Sequence, residues 1–138
     1  MEPSRPLVYF WCIGNAMRSQ MAEAYFRRLG GDRYEVASAG TEPLGQVLED
    51  VLEVMQEEGL DLSTHTSDAI DTALVERAHL IVDLGGRGRG RLPSHLLDKY
   101  VAWRVVDPYG AALGDLRRTR DLIRERVEAL VRELDARR

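Results

Sequence analysis

Short apolar runs alternate with segments of helical period along the whole chain, and that alternation limits the folds open to it. Leu7 to Trp11 is an uninterrupted apolar and aromatic run, the pattern of a buried strand. Gly14 and Asn15 break it. Ser19 to Leu29 then sets Met21, Ala22, Tyr25, Phe26 and Leu29 at helical spacing and stops at Gly30-Gly31. Tyr34 to Ser38 reads as a second strand, ending at Ala39-Gly40. Gln46 to Glu58 carries Val47, Val51, Val54 and Met55 along one helix face, closed by Gly59. Thr72 to Arg77 is a shorter helical turn, and His79 to Leu84 and Val101 to Val106 are the third and fourth strands. Leu116 to Leu134 repeats Leu116, Ile123, Val127, Leu130 and Leu134 between arginines and glutamates, a long amphipathic helix.

Strands separated by helices are joined by right-handed crossovers and run parallel. The expected fold is therefore α/β, a four-stranded parallel sheet with helices on both faces. With 138 residues and no linker or internal repeat, residues 1–138 are expected to form a single domain. A chain of that length buries roughly two-thirds of its unfolded surface. Ligands of such sheets bind beyond the carboxyl ends of the strands. Cys12 closes the first strand and Asp107 follows the fourth, so two reactive residue types fall on the same edge. The glycine-rich stretch Gly85 to Arg91 is read as a mobile surface loop.

Charge and cysteine usage narrow the function. The formal charge of −4 offers no global attraction to nucleic acid or an anionic membrane, so an anionic substrate must be captured locally. No apolar run approaches the roughly 18 residues of a membrane span. Met1 to Pro6 lacks the basic-then-apolar layout of a signal peptide, and a cytoplasmic location is expected. The single cysteine can form neither an internal disulfide nor a zinc cluster. It is a buried thiol, a coupling site or a nucleophile.

The loop Cys12-Ile13-Gly14-Asn15-Ala16-Met17-Arg18-Ser19 lies between a strand end and a helix start. A loop entering a helix N-terminus exposes successive backbone N–H groups where the helix dipole favours negative charge. Gly14 lets the backbone turn inward, and Arg18 offers a planar fork for two oxygens of a phosphate or arsenate. A free thiol is only a few per cent ionised at neutral pH, and donors gathered on the sulfur favour the thiolate that does the chemistry. Ser19 is placed to add a hydroxyl to that sulfur, and Asn15 to hold the loop open. A lone cysteine is most often a small buried hydrophobe, and an arginine six positions on occurs by chance roughly once in twenty. It is the strand–helix context with Gly14, Asn15 and Ser19 that favours the oxyanion cradle.

Asp107-Pro108-Tyr109-Gly110 has two readings: a turn, or a general acid that protonates the leaving oxygen and then activates water. In the second, Tyr109 is a wall for an aromatic substrate group. His65 reads as a hydrogen-bonded turn residue, and neither His79 nor His95 has a metal-ligand neighbour at useful spacing. Arg87, Arg89 and Arg91 are either a solvated loop or a positive rim that attracts anions. The arginine-rich last helix reads as a salt-bridged surface helix rather than a nucleic-acid binder.

Together these segments resemble the low-molecular-weight protein tyrosine phosphatase family, which includes the thioredoxin-coupled arsenate reductases. The resemblance spans Phe10-Trp11-Cys12, Arg18-Ser19-Gln20-Met21-Ala22-Glu23, Ser38-Ala39-Gly40-Thr41, Gly59-Leu60-Asp61-Leu62-Ser63 with His65, and Asp107-Pro108-Tyr109. It implies a three-layer α/β/α fold with strand order 2-1-3-4 and a phosphocysteine on Cys12. Arg18 would grip the oxyanion, and Asp107 would act as acid and base. The substrate would lie against Ile13, Gly14, Asn15, Ala16, Met17 and Tyr109, with Ser19 and Ser38 supporting the loop, and no metal or cofactor is implied. There are departures. Met17 stands where many members have a second loop cysteine, and Gly85 and Leu92 stand where the reductases carry two resolving cysteines, so the intramolecular disulfide relay cannot operate. Arg18-Ser19-Gln20 and Trp103 resemble the reductases, whereas Asp107-Pro108-Tyr109 resembles the phosphatases. Trp11 is bulkier than the family's usual residue.

Three functions follow as expectations. The first is hydrolysis of a phosphomonoester or phosphoprotein, phosphotyrosine foremost. The second is arsenate reduction with an external thiol or a glutaredoxin-type partner. The third is a non-catalytic oxyanion-binding adaptor. The expected partner is a phosphorylated protein or small phosphate ester, or arsenate with an external thiol, with the chain a monomer or weak homodimer.

Overall fold

The computed structural model describes residues 5–138; Met1 to Ser4, part of the segment considered for a signal peptide, lie outside the described residues. Four strands, β1 (Leu7–Cys12), β2 (Glu35–Gly40), β3 (Leu80–Asp83) and β4 (Tyr100–Ala102), form one parallel sheet in the order β2-β1-β3-β4. Four helices accompany them: α1 (Arg18–Gly30), α2 (Glu49–Gln56), α3 (Thr72–Arg77) and α4 (Leu113–Ala136). The three-layer α/β/α fold and its strand order are those expected.

The central strand β1 is buried along its whole length, and its residues alternate between two cores as a pleated strand must. Val8 and Phe10 pack with Met21, Tyr25 and Phe26 of α1, Val51 and Val54 of α2, and Ile123 and Val127 of α4. Leu7, Tyr9 and Trp11 face the other way, onto Val75 of α3, Ile81, Leu92 and Leu96. Trp11 meets Tyr9 edge-on at 5.9 Å, and its indole N–H has no hydrogen-bond partner among the described residues. The bulky residue before the cysteine thus fills the core opposite α1. No helix of the described residues is long and apolar enough to cross a membrane.

Three local expectations are corrected. The fourth strand is Tyr100–Ala102 rather than Val101 to Val106. Arg104 takes a left-handed φ of 52° and turns the chain out of the ladder, although Trp103 and Val105 still donate to the carbonyls of Asp83 and Leu84. The helix expected from Gln46 begins only at Glu49. The residues before it lend their N–H groups to the Cys12 loop, and Gln46 pairs with Thr66. The stretch Gly85 to Arg91 is not a free loop. Asp83 Oδ1 accepts from the N–H groups of Gly85 and Gly86, and Oδ2 accepts from Gly88 N–H at 2.7 Å; Arg89–Arg91 closes into a 3-10 turn.

Candidate active site

The loop from Cys12 to Arg18 is organised by its carbonyls. Those of Cys12, Ile13, Gly14 and Ala16 accept from the N–H groups of Thr41, Glu42, Leu44 and Leu48, all on the outer segment. Asn15 O accepts from the Gln20 amide, and Met17 O from Met21 N–H. In a planar trans peptide the N–H points opposite the carbonyl. The N–H groups of residues 13 to 18 are therefore turned away from these partners, toward the inside of the loop. They converge with the N-terminus of α1, which has no side-chain cap and no acidic residue in its first turn. A concave run of donors at a helix N-terminus is a seat for a tetrahedral oxyanion.

Asn15 keeps this shape. It is fully buried and, at φ 47°, is the left-handed residue of the loop. The sequence places the inward turn at Gly14; the conformational demand falls one residue later. The Asn15 amide donates to Ser19 Oγ at 2.7 Å and to Ser38 Oγ at 2.9 Å, and its Oδ1 accepts from Asp68 N–H at 2.8 Å. Ser67 Oγ donates to Gly14 O. His65 Nδ1 meets Gln20 Oε1 at 3.0 Å, and the amide end of Gln20 continues to Thr66 O and Asn15, so His65 is a hydrogen-bonded support. Gly40 passes directly beneath the loop, where a Cβ would lie 2.5 Å from Ile13 O.

Cys12 is 3% exposed, and its Sγ lies 2.9 Å from Ser19 Oγ. That oxygen already accepts from Asn15, so its own hydrogen is free to bond the sulfur. Arg18 is buried, with Nη1 donating to Val105 O at 2.7 Å and to Leu84 O at 3.4 Å. Its Nη2 lies 3.8 Å from Asp107 Oδ2. Leaving the ladder at Arg104 is what brings the Val105 carbonyl and Asp107 over Arg18. The Asp107 side chain is half exposed, and Oδ1 accepts from Tyr109 N–H at 3.0 Å.

Cys12, Arg18 and Asp107 thus line one cavity of about 530 Å³ with Ile13, Gly14, Ala16, Met17 and Tyr109. Asn15 does not line it; it stands behind the loop. Glu42, Pro43 and Leu44, on the outer segment bonded to the loop, line the cavity as well, and sequence reasoning missed them because a turn segment carries no periodic signal. Asp83 was missed too. Two per cent exposed, it takes a further hydrogen bond of 2.6 Å from Tyr100, whose phenol is held above its ordinary pKa by burial and then by that carboxylate. A buried acid at the end of an apolar strand, before a run of glycines, was the available signal. Among the described residues no group of three His, Cys, Asp or Glu side chains could hold a metal ion.

A parallel sheet with a cysteine-to-arginine loop at its carboxyl edge and an aspartate across the mouth defines a class of oxyanion-handling proteins. The chain belongs to the low molecular weight phosphotyrosine protein phosphatase family, which it matches over residues 7–138. It is 38% identical over 126 residues to a Bacillus cereus arsenate reductase, covering 91% of this chain and 93% of that one. Among solved structures it resembles an arsenate reductase in the phosphate-binding state, with TM-score 0.82, 33% identity, and 93% and 98% of the two chains covered. It also shares the fold of the YwlE arginine phosphatase from Geobacillus stearothermophilus, with TM-score 0.88, 22% identity, and 96% and 94% covered.

Proposed function

We propose that the chain is a phosphatase that hydrolyses phosphomonoesters, phosphotyrosine in proteins foremost, through a phosphocysteine on Cys12. In the first step the Cys12 thiolate attacks phosphorus, and the bond to the leaving oxygen breaks as Asp107 delivers its proton there. In the second, Asp107 takes a proton from water, the water oxygen attacks phosphorus, and the S–P bond breaks to return thiolate and phosphate. Arg18 and the loop N–H groups bear the charge of the equatorial oxygens in both steps. The observation that carries this reading is Asp107 at the mouth of the cavity that holds Cys12 and Arg18. An acid there serves a leaving alcohol or phenol. Tyr109, 70% exposed on the rim, gives a phenyl ring a face to lie on.

A second reading, arsenate reduction, is favoured by the arsenate reductases among the relatives. Cys12 would displace water or hydroxide from arsenate. Reduction to arsenite would then take two electrons from Cys12 and one external thiol, leaving a mixed disulfide for a second thiol to open. Those thiols must come from outside, because Cys12 is the only cysteine.

The deciding experiment is phosphate release from an aryl phosphate across pH 5 to 8 by the wild type and Cys12→Ser, with arsenate plus glutathione assayed in parallel. Cysteine-dependent phosphate release without thiol supports the phosphatase. Thiol-dependent arsenite production with negligible phosphate release replaces it by the reductase.

A further inference from the structure

A second cleft of about 480 Å³ adjoins the first and shares Ile13, Arg18 and Asp107 with it. Its outer lining includes Arg87 and Arg104. Carboxylates outnumber basic residues in this chain, and Arg33, Arg77, Arg117, Arg120 and Arg124 all pair with one. Arg87 and Arg104 make no ion pair or side-chain hydrogen bond among the described residues. Asp107, the acidic residue lining this cleft, has its nearer contacts with Arg18 and Tyr109 N–H.

The backbone is shaped to present these two cations. Among the described residues Arg104 is one of two non-glycine residues with positive φ, the other being Asn15 of the loop. Such strain persists where the surroundings over-determine it, and it gathers at functional sites. The Arg104 side chain crosses Gly86 so closely that a Cβ there would lie 2.9 Å from Arg104 Cγ, and Gly86 itself has φ 70°. Arg87 follows Gly86 on the segment that buried Asp83 ties down through Gly85, Gly86 and Gly88. The other two arginines of that segment go elsewhere: Arg91 donates to Thr41 O, and neither Arg89 nor Arg91 lines the cleft.

We infer that Arg87 and Arg104 form a second anion subsite, which selects phosphorylated peptides carrying an acidic side chain next to the phosphorylated residue. The inference rests on the phosphatase reading. A tyrosyl side chain that carries its phosphoryl group in to Arg18 leaves the peptide backbone at the mouth, and the neighbouring Cα, about 3.8 Å further along that backbone, presents its carboxylate to the exposed lining of the adjoining cleft, where Arg87 and Arg104 stand. Each guanidinium offers a fork that fits a carboxylate. A bare arsenate ion has no second group to place there.

The test measures kcat/KM at low salt for two phosphotyrosyl peptides of equal length, one with acidic and one with neutral flanks, alongside an aryl phosphate. Wild type is expected to prefer the acidic peptide by about tenfold, a preference that shrinks as salt rises. Arg87→Gln should reduce the preference about threefold. Arg87→Gln with Arg104→Asn, a residue that tolerates left-handed backbone, should bring it to about one. Because the readout is a ratio, a loss common to both peptides through poorer folding cancels. Hydrolysis of all three substrates with no acidic preference, or a preference that survives the double variant, overturns the subsite and leaves the phosphatase reading standing. Hydrolysis of none of them overturns both.

Discussion

The two sides of the candidate active site are built on opposite plans. On one side, the Cys12–Arg18 loop has each of its carbonyls from Cys12 to Met17 bonded, and its one left-handed residue is held by a fully buried amide with partners on three other segments. On the other, Asp107 and Tyr109 are exposed and are tied locally by a single side-chain-to-backbone bond within the turn. A cradle that stabilises charge must be fixed before the charge develops, since reorganisation would cost what the donors supply. A group that carries a proton to a leaving oxygen and lets product out is better placed on a segment that yields. The contrast predicts that changes in the cradle lower stability and activity together, while changes in the Asp107 turn lower activity alone.

The largest expected effect is Asp107→Ala. Turnover of an aryl phosphate should fall by about two to four orders of magnitude. Stability should change by no more than about 0.5 kcal/mol, since the side chain is half exposed. Denaturant melts and steady-state kinetics on the same preparation read both; a large stability loss would break the contrast. Next is Asn15→Ala, which leaves Asp68 N–H and two serine hydroxyls without their partner and puts alanine at a φ of 47°. We expect a loss of about 3 kcal/mol in stability together with weakened phosphate binding, read by calorimetry. Unaltered stability would show that the cradle is not over-determined.

This difference also governs what could be read from the sequence. Cys12, Arg18 and Asp107 were legible because strand ends and turn residues place them on one edge of a parallel sheet. β1 was legible because burial on both faces demands an unbroken apolar run. The outer wall Glu42, Pro43 and Leu44 was not, because its position is set by hydrogen bonds to the loop carbonyls, and backbone pairing outside regular structure leaves no side-chain pattern. The fourth strand was overextended for a related reason. Val105 and Val106 have strand propensity, but Arg104 between them and Ala102 adopts a conformation that propensity argues against. Asp83 reads from the sequence only as a residue of the third strand, and only the fold shows its carboxylate buried beneath the glycine-rich segment it holds.

The smallest effect sharpens the comparison by asking where the acid limit of the fold lies. Glu57, at the end of α2, is held at a pKa of about 2 by hydrogen bonds from Arg117 and then Arg120 of α4, against an ordinary value of 4.5. The depressed pKa means the folded state keeps this carboxylate ionised where the unfolded chain would bind a proton. Its contribution to stability is complete above pH 4.5 and is lost as the pH falls through about 2. In Glu57→Gln the melting temperature should therefore fall less steeply over that window than in wild type. Phosphate affinity at pH 6 should be the same in both, because Glu57 touches neither the loop nor the Asp107 turn. Weaker phosphate binding by Glu57→Gln than by wild type would mean that the α2–α4 contact helps to shape the cradle, and that its rigidity is borrowed from the helices behind it rather than held within its own hydrogen bonds.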